Sequence, residues 1–121
     1  LREMAGAGKA EERQNSYVEE AVLYMEQNYR KDISLDAVAQ RLGISSFYLS
    51  RLLTQQLDES FTEILTDIRI DHAIELIRSE NYMVKDIGSR VGYLSDTYFY
   101  KVFKKNTGMT VGEMRRLLRG E

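Results

Sequence analysis

Apolar residues recur at spacings of three and four along most of the chain, and this period predicts helices throughout. The first apolar stripe consists of Val18, Ala21, Val22, Met25 and Tyr29. Ser16 and Glu19 have the spacing of a capping box, so we expect the first helix to run from Ser16 to about Arg30. Residues 1–15 carry no apolar stripe and are predicted to form a linker or a frayed helix end.

Start and stop signals divide the remaining chain into six further helices. Ser34 is a predicted N-cap, and Gly43 and Gly92 are predicted to end helices because glycine readily adopts the left-handed conformation. Capping boxes are also predicted at Ser60 with Glu63 and at Thr110 with Glu113. The six predicted helices span about 34–42, 46–57, 60–80, 84–91, 95–106 and 110 onward.

The most informative feature of the sequence is an internal repeat. Residues 38–43 match residues 87–92 at an offset of 49, and after a one-residue insertion residues 48–53 match 98–103 at an offset of 50. Each unit is a short helix, a glycine-stopped turn and a longer helix, which is the helix-turn-helix pattern. The predicted fold is all-α, with seven helices.

The repeat also predicts how the domain is organised. Two helix-turn-helix subdomains, 34–57 and 84–107, are joined by the connecting helix 60–80, and each resembles a homeodomain-like three-helix unit. As a continuous helix, the 21 residues from 60 to 80 would span about 31 Å, close to the roughly 34 Å between successive major grooves. We therefore expect the two longer helices of the repeat to reach adjacent grooves on one face of a duplex.

Both longer helices of the repeat combine an apolar row with a polar row. The predicted inner residues are Leu49, Leu52 and Leu53 in the third helix and Phe99, Val102 and Phe103 in the sixth. The predicted outer residues are Phe47, Ser50, Arg51 and Thr54 in the third helix and Thr97, Tyr100, Lys101 and Lys104 in the sixth. A helix with hydrogen-bond donors, aromatic rings and cations on its outer row is suited to contact base edges in a major groove.

Three motifs give the chain a resemblance to a known family. They are S-L-D-A-V-A-Q-R-L-G-I-S-S-F-Y-L-S-R-L (34–52), R-I-x-x-A-x-x-L-I (69–77) and I-G-S-R-V-G-Y-L-S-D-T-Y-F-Y-K-V-F-K-K-x-T-G-M-T (87–110). From about Ser16 to Arg119 the sequence resembles the DNA-binding domain of the AraC/XylS family of bacterial transcription regulators. Around the first helix and the connecting helix it is most similar to members fused behind a receiver domain of two-component systems.

The resemblance implies positions for the DNA contacts. The first recognition helix would contact bases through Phe47, Ser50 and Arg51, and the second through Asp96, Thr97, Tyr100 and Lys101. Lys104 and Lys105 match positions near the backbone phosphates. The sequence departs from the family pattern in three features. Thr54, Gln55 and Gln56 stand where lysines are usual, Asp58 replaces a glycine, and Val111 replaces a proline. We expect a weaker phosphate contact and a less regular helix end in the first unit.

Composition and charge narrow the function classes. The 121 residues contain 43% hydrophobic residues and no cysteine, which fits one ordinary domain or two very small ones and excludes a large enzyme. The net charge is −2, but residues 1–90 carry 11 Lys and Arg against 16 Asp and Glu, whereas residues 91–121 carry 6 against 3. The basic C-terminal part is where an anion is expected to bind.

Other chemistry is weakly indicated. His72 is the single histidine, so a zinc site or a histidine base is not expected, and we predict no cofactor and no enzymatic activity. Asp67, Asp71 and Glu75 are predicted to form a solvated helix face. The longest apolar run has five residues, which predicts a cytoplasmic protein without a membrane contact. Because the chain begins at Leu1, we expect it to be a piece of a longer polypeptide.

The sequence therefore predicts sequence-specific binding of double-stranded DNA in transcription regulation. The expected partners are duplex DNA and RNA polymerase, with a monomeric isolated domain and a dimeric full-length protein. The alternative is an acidic helical module that binds a protein partner through its Tyr- and Phe-rich faces. Steep salt dependence of DNA binding favours the first hypothesis, and salt-insensitive binding of a protein favours the second.

Overall fold

The computed structural model describes the backbone of residues 2–79 and 82–120 and the side chains of residues 8–79 and 82–120. Within these ranges the chain forms seven α-helices and no β-strand, as the sequence predicts. The helices are α1 (Arg2–Asn28), α2 (Leu35–Leu42), α3 (Ser46–Leu57), α4 (Phe61–Arg78), α5 (Val84–Arg90), α6 (Asp96–Thr107) and α7 (Val111–Leu118). In this part of the chain, no helix is both long and apolar enough to cross a membrane.

The predicted start of the first helix at Ser16 is wrong. Helix α1 begins at Arg2, and Ser16 lies exposed within it instead of capping it. Residues 2–15 consist largely of Ala, Glu, Arg, Lys and Gln, whose high helix propensity extends the helix beyond its apolar stripe. The predicted end of α4 at Glu80 lies outside the described residues, and α4 ends at Arg78.

The predicted caps of the later helices are confirmed. The Oγ atom of Ser34 accepts a hydrogen bond from the N–H of Ala37 at 3.1 Å. At α4 the N–H of Ser60 donates to Glu63 Oε1 at 3.0 Å, and the N–H of Glu63 donates to Ser60 Oγ at 3.1 Å. Hydrogen bonds from the backbone N–H and from the hydroxyl of Ser60 hold the pKa of the exposed Glu63 carboxyl below its usual value. At α7 the N–H of Glu113 donates to Thr110 Oγ1 at 3.1 Å, and the Thr110 hydroxyl donates to Glu113 Oε1 at 3.1 Å.

The chain divides into two compact units. The first contains α1, α2, α3 and the start of α4, and α1, α2 and α3 pack against one another. Its buried side chains are Val18, Ala21, Met25, Val38, Ala39, Leu49, Leu52, Leu53, Phe61 and Ile64. Tyr24 of α1 lies beneath the guanidinium of Arg41 in α2, with 4.8 Å between the guanidinium carbon and the ring centre.

The second unit contains residues 29–32, the part of α4 from Leu65 onward, and α5, α6 and α7. Helix α6 packs against both α5 and α7. The buried residues include Ile68, Ile70, Ala73 and Ile77 of α4, Ile87 of α5, Phe99 and Phe103 of α6, and Val111 and Met114 of α7. The core of this unit is therefore formed mainly by the two phenylalanine rings of α6 and the aliphatic side chains of α4.

Arg69 fixes the segment after α1 within the second unit. Its Nε donates to the carbonyl of Tyr29 at 2.8 Å, and its Nη2 donates to the carbonyl of Lys31 at 3.0 Å. The guanidinium carbon also lies 5.3 Å from the centre of the Tyr93 ring. Burial raises the pKa of the Tyr93 hydroxyl above its usual value. His72 stacks on Tyr29 with 4.1 Å between ring centres and 8° between planes, which fits a packed histidine.

Asp58 adopts the left-handed conformation that the family glycine would occupy. Its φ angle is 57°, and its N–H donates to the carbonyl of Thr54 at 3.0 Å. Gly108 closes α6 equivalently, with a φ angle of 77° and a 2.8 Å bond to the carbonyl of Lys104. The expectation of a less regular end for α3 is therefore wrong. The aspartate costs conformational energy at this position but preserves the helix end.

The short and the longer helix of each repeat unit carry different residues at the position of their closest packing. In the second unit a Cβ atom added to Gly88 would lie 2.9 Å from Cδ2 and 3.0 Å from Cγ of Phe99. The repeat-equivalent residues in the first unit are Ala39 and Leu49, both buried. A larger ring in α6 thus faces a residue without a side chain in α5, whereas the equivalent positions of the first unit hold a smaller leucine and an alanine.

The close contact between Gly88 and Phe99 predicts the effect of Gly88→Ala. Alanine should gain up to about 1 kcal/mol in helix propensity, but overpacking against Phe99 should cost about 1–3 kcal/mol. We expect a net loss of about 1 kcal/mol in the free energy of unfolding, measured by urea denaturation. The loss should shrink in the Phe99→Leu background, which reproduces the pair of the first unit.

Gly112→Ala is the matched control. Gly112 also lies in a helix, but a Cβ added there meets nothing closer than Thr110 Oγ1 at 4.0 Å. This variant should be more stable than the parent by up to about 1 kcal/mol. Equal stabilisation by both alanine variants would contradict the tight α5–α6 contact.

Candidate nucleic-acid interface

A hydrogen-bonded turn and a serine N-cap precede each of the helices α3 and α6. In the first unit the N–H of Ile44 donates to the carbonyl of Ala39 at 3.1 Å, and Ser45 caps α3. In the second unit the N–H of Tyr93 donates to the carbonyl of Gly88 at 2.9 Å, and Ser95 caps α6. The bonded positions are equivalent in the repeat, so both turns close in the same way.

The inner rows pack as the sequence predicts, with one difference. The buried inner side chains, each at most 1% exposed, are Leu49, Leu52, Leu53, Phe99 and Phe103. Val102 was also predicted to point inward, but it is only partly buried. The buried rows determine which residues of each helix remain available to a ligand.

The outer row of α3 begins with an aromatic residue and ends without a basic residue. Phe47 is 74% exposed, Arg51 is exposed, and Ser50 is partly buried. Thr54 Oγ1 donates to the carbonyl of Ser50 at 3.0 Å, so its hydroxyl is directed to its own helix. The last turn of α3 contains no basic residue, whereas that of α6 contains Lys104 and Lys105.

In α6 all six residues that were predicted to contact DNA are exposed. Asp96, Thr97, Tyr100, Lys101, Lys104 and Lys105 are exposed. The ring of Tyr100, 39% exposed, rests against buried Phe99 with 5.7 Å between ring centres. Each unit therefore brings its own predicted contact residues together along one helix.

A groove of about 630 Å³ lies beside α6 in the second unit. Its lining residues are Val84, Tyr100, Lys101, Lys104, Lys105, Thr110, Val111 and Gly112. None of these lining residues is acidic, so three lysine charges border a largely apolar floor. Val84, Val111 and Gly112 were not predicted to lie beside the outer row of α6, because they belong to other helices.

Comparisons with known proteins show what this arrangement of helices belongs to. A family model described as a helix-turn-helix domain matches residues 38–117. The chain is 33% identical over 101 residues to the lactose operon transcription activator of Staphylococcus xylosus, covering 84% of this chain and 36% of that protein. The C-terminal domain of AraT, a response regulator from Geobacillus stearothermophilus, is 37% identical with a TM-score of 0.80, covering 84% of each chain. The chain belongs to the AraC family of transcription regulators.

One solved structure with the same fold is a DNA-binding domain in complex with DNA. The DNA-binding domain of AdpA, in complex with a target DNA, has a TM-score of 0.79 at 18% identity, covering 85% of this chain and 93% of that one. This likeness shows a common fold. The chain spans between 31% and 60% of the length of four curated relatives. It is an AraC-type DNA-binding domain of a transcription regulator.

The sequence also contains acidic residues and one histidine, which are possible metal ligands. Among the side chains that the structure describes, no group of three or more His, Asp or Glu residues is arranged to hold a metal ion. Asp67 of α4 is partly buried, and Asp71 and Glu75 are exposed. The family is a class of DNA-binding regulators, so the outer rows of α3 and α6 are the candidate functional residues.

Proposed function

We propose that this domain binds double-stranded DNA in a sequence-specific manner, with α3 and α6 each placed in a major groove. The observation that carries the proposal is that both units combine a buried inner row, a closed turn and an exposed outer row in equivalent positions. A recognition helix needs this combination, since the packed row fixes the orientation in which the outer row meets the base edges.

The proposed base contacts follow from the chemistry of each outer row. Arg51 and Lys101 donate to guanine acceptors or to phosphate, and Asp96 accepts from a cytosine amine. The hydroxyls of Ser50 and Thr97 make adaptable hydrogen bonds with bases. The remaining two residues, Phe47 and Tyr100, pack on thymine methyl groups or on sugars. The exposure of both rings supports this role.

The proposed backbone contacts are concentrated in the second unit. Lys104 and Lys105 border the groove beside α6 and are placed to attract phosphate oxygens. Thr54 and Gln55 occupy the repeat-equivalent positions of α3 and carry no charge. We therefore assign most of the affinity to α6 and mainly selectivity to α3.

The wider assembly is also part of this proposal. Because the two units are related by an internal repeat but differ in their outer rows, a single chain should bind an asymmetric site. We propose RNA polymerase as the further partner of the whole regulator, and dimerisation through parts of the regulator outside this domain. The alternative, an acidic protein-interaction module, gives no role to the three lysines along α6.

Arg51→Ala and Lys104→Ala should separate base recognition from phosphate attraction. Arg51→Ala should cost about 1–3 kcal/mol on the preferred duplex and relax base preference at one position. Lys104→Ala should weaken binding to all duplexes alike and reduce the slope of log K against log salt by about one. Fluorescence anisotropy with preferred and scrambled duplexes over a salt series measures both quantities. Identical changes in selectivity and salt slope for the two variants would contradict the assignment.

Adding lysines to α3 should make the first unit resemble the second. Thr54→Lys with Gln55→Lys should tighten binding to any duplex at low salt, and less so near physiological salt, because screening weakens the added attraction. The control places the same charge on α1 through Asn15→Lys with Gln27→Lys, both at exposed positions. If the α3 pair gains no more affinity than the α1 pair at low salt, the end of α3 does not face phosphates.

A further inference from the structure

Leu94 is an apolar side chain held in water at the start of α6. Its exposed fraction of 106% is the highest of the exposed large apolar side chains that the structure describes. The two neighbours in the chain have evident structural roles, since Tyr93 is buried and Ser95 caps α6. Leu94 itself contributes nothing to the core of the unit.

The internal repeat shows that Leu94 is an inserted residue. In the first unit Ile44 follows the turn glycine and is followed at once by the cap, Ser45. Tyr93 is the equivalent of Ile44, because both donate their N–H to the matching carbonyl of the preceding helix. Leu94 then stands between this residue and the cap, so the second turn closes as the first does and carries one additional side chain.

The inserted side chain lies at the end of α6 that matters most for base recognition. Recognition helices of helix-turn-helix domains contact base edges mainly through their N-terminal residues. Asp96 and Thr97, directly after the cap, are exposed and belong to the proposed base contacts. The lysines at the other end of the same helix supply the charge that DNA requires.

The chemistry of leucine then restricts the ligand. Leu94 has no hydrogen-bonding group and no charge, so it gains nothing from a phosphate oxygen or a polar base edge. The apolar feature of the major groove is the 5-methyl group of thymine. We propose that Leu94 is a specificity-determining residue that packs on a thymine methyl group next to the bases contacted by Asp96 and Thr97. This inference rests on the proposed function.

Replacing thymine by uracil tests the proposal, because it removes only the methyl group. A preferred duplex is first selected from random sequences with the 121-residue chain, and each thymine is then replaced singly by deoxyuridine. At one thymine in the part of the site assigned to α6, the replacement should weaken binding by about fourfold, the value for losing one buried methyl group. With Leu94→Ala the same replacement should change binding less than twofold, while the other thymines keep their effects.

Leu117→Ala is the matched control, because Leu117 is a 61% exposed leucine in α7 of the same unit. It should retain the uracil profile of the parent chain. A profile that is identical for the parent and Leu94→Ala overturns the proposal, and so does a selected site without thymine in the part assigned to α6. Failure of the parent chain to bind any selected duplex would instead overturn the proposed function.

Discussion

The close packing of each recognition helix on the shorter helix before it is the constraint on which the functional surface depends. In both units one backbone hydrogen bond, from the residue after the turn glycine, closes the chain onto that shorter helix. The buried face of the following helix then excludes all but one orientation. Buried side chains such as Leu49 and Phe99 consequently decide which residues of each helix are exposed.

The two units meet this constraint with different residues, and they differ in the charge at the end of the longer helix. The first unit uses the Ala39–Leu49 pair and ends its recognition helix on Asp58, without basic residues in the last turn. The second uses Gly88 and Phe99 and ends on Gly108 after two lysines. The two units thus share one scaffold, whereas only the second has positive charge in the last turn of its longer helix. Under the proposed function, this separation would allow affinity and selectivity to be adjusted independently.

Most of the fold follows from short-range signals in the sequence. Caps such as Ser34 and Ser60 act within one helical turn, so they predict helix starts without any knowledge of tertiary structure. Ser16 shows the limit of this reasoning, because a capping pattern has no effect where the preceding residues already favour a helix. The role of Arg69 was equally hidden. Its partners are backbone carbonyls 38 and 40 residues away, which no local pattern indicates.

Part of the candidate site could likewise be predicted from the sequence, and part of it could not. Helical periodicity separates Arg51 and Lys101 from the buried rows, since it depends only on the angle between successive residues. It does not reveal the groove beside α6, because part of the groove wall comes from α5 and α7 and depends on how these helices pack. The exposure of Leu94 was not predictable for a different reason. An apolar residue beside a turn is ordinarily assigned to the core, and only the structure shows it exposed.

The central claim is that both units of this AraC-type domain contact bases. Missing-base interference footprinting of the chain on its selected duplex tests this most directly, because each base is removed in turn and its contribution is measured separately. The account predicts two separated clusters of bases whose removal weakens binding, one for α3 and one for α6. A single cluster would contradict it.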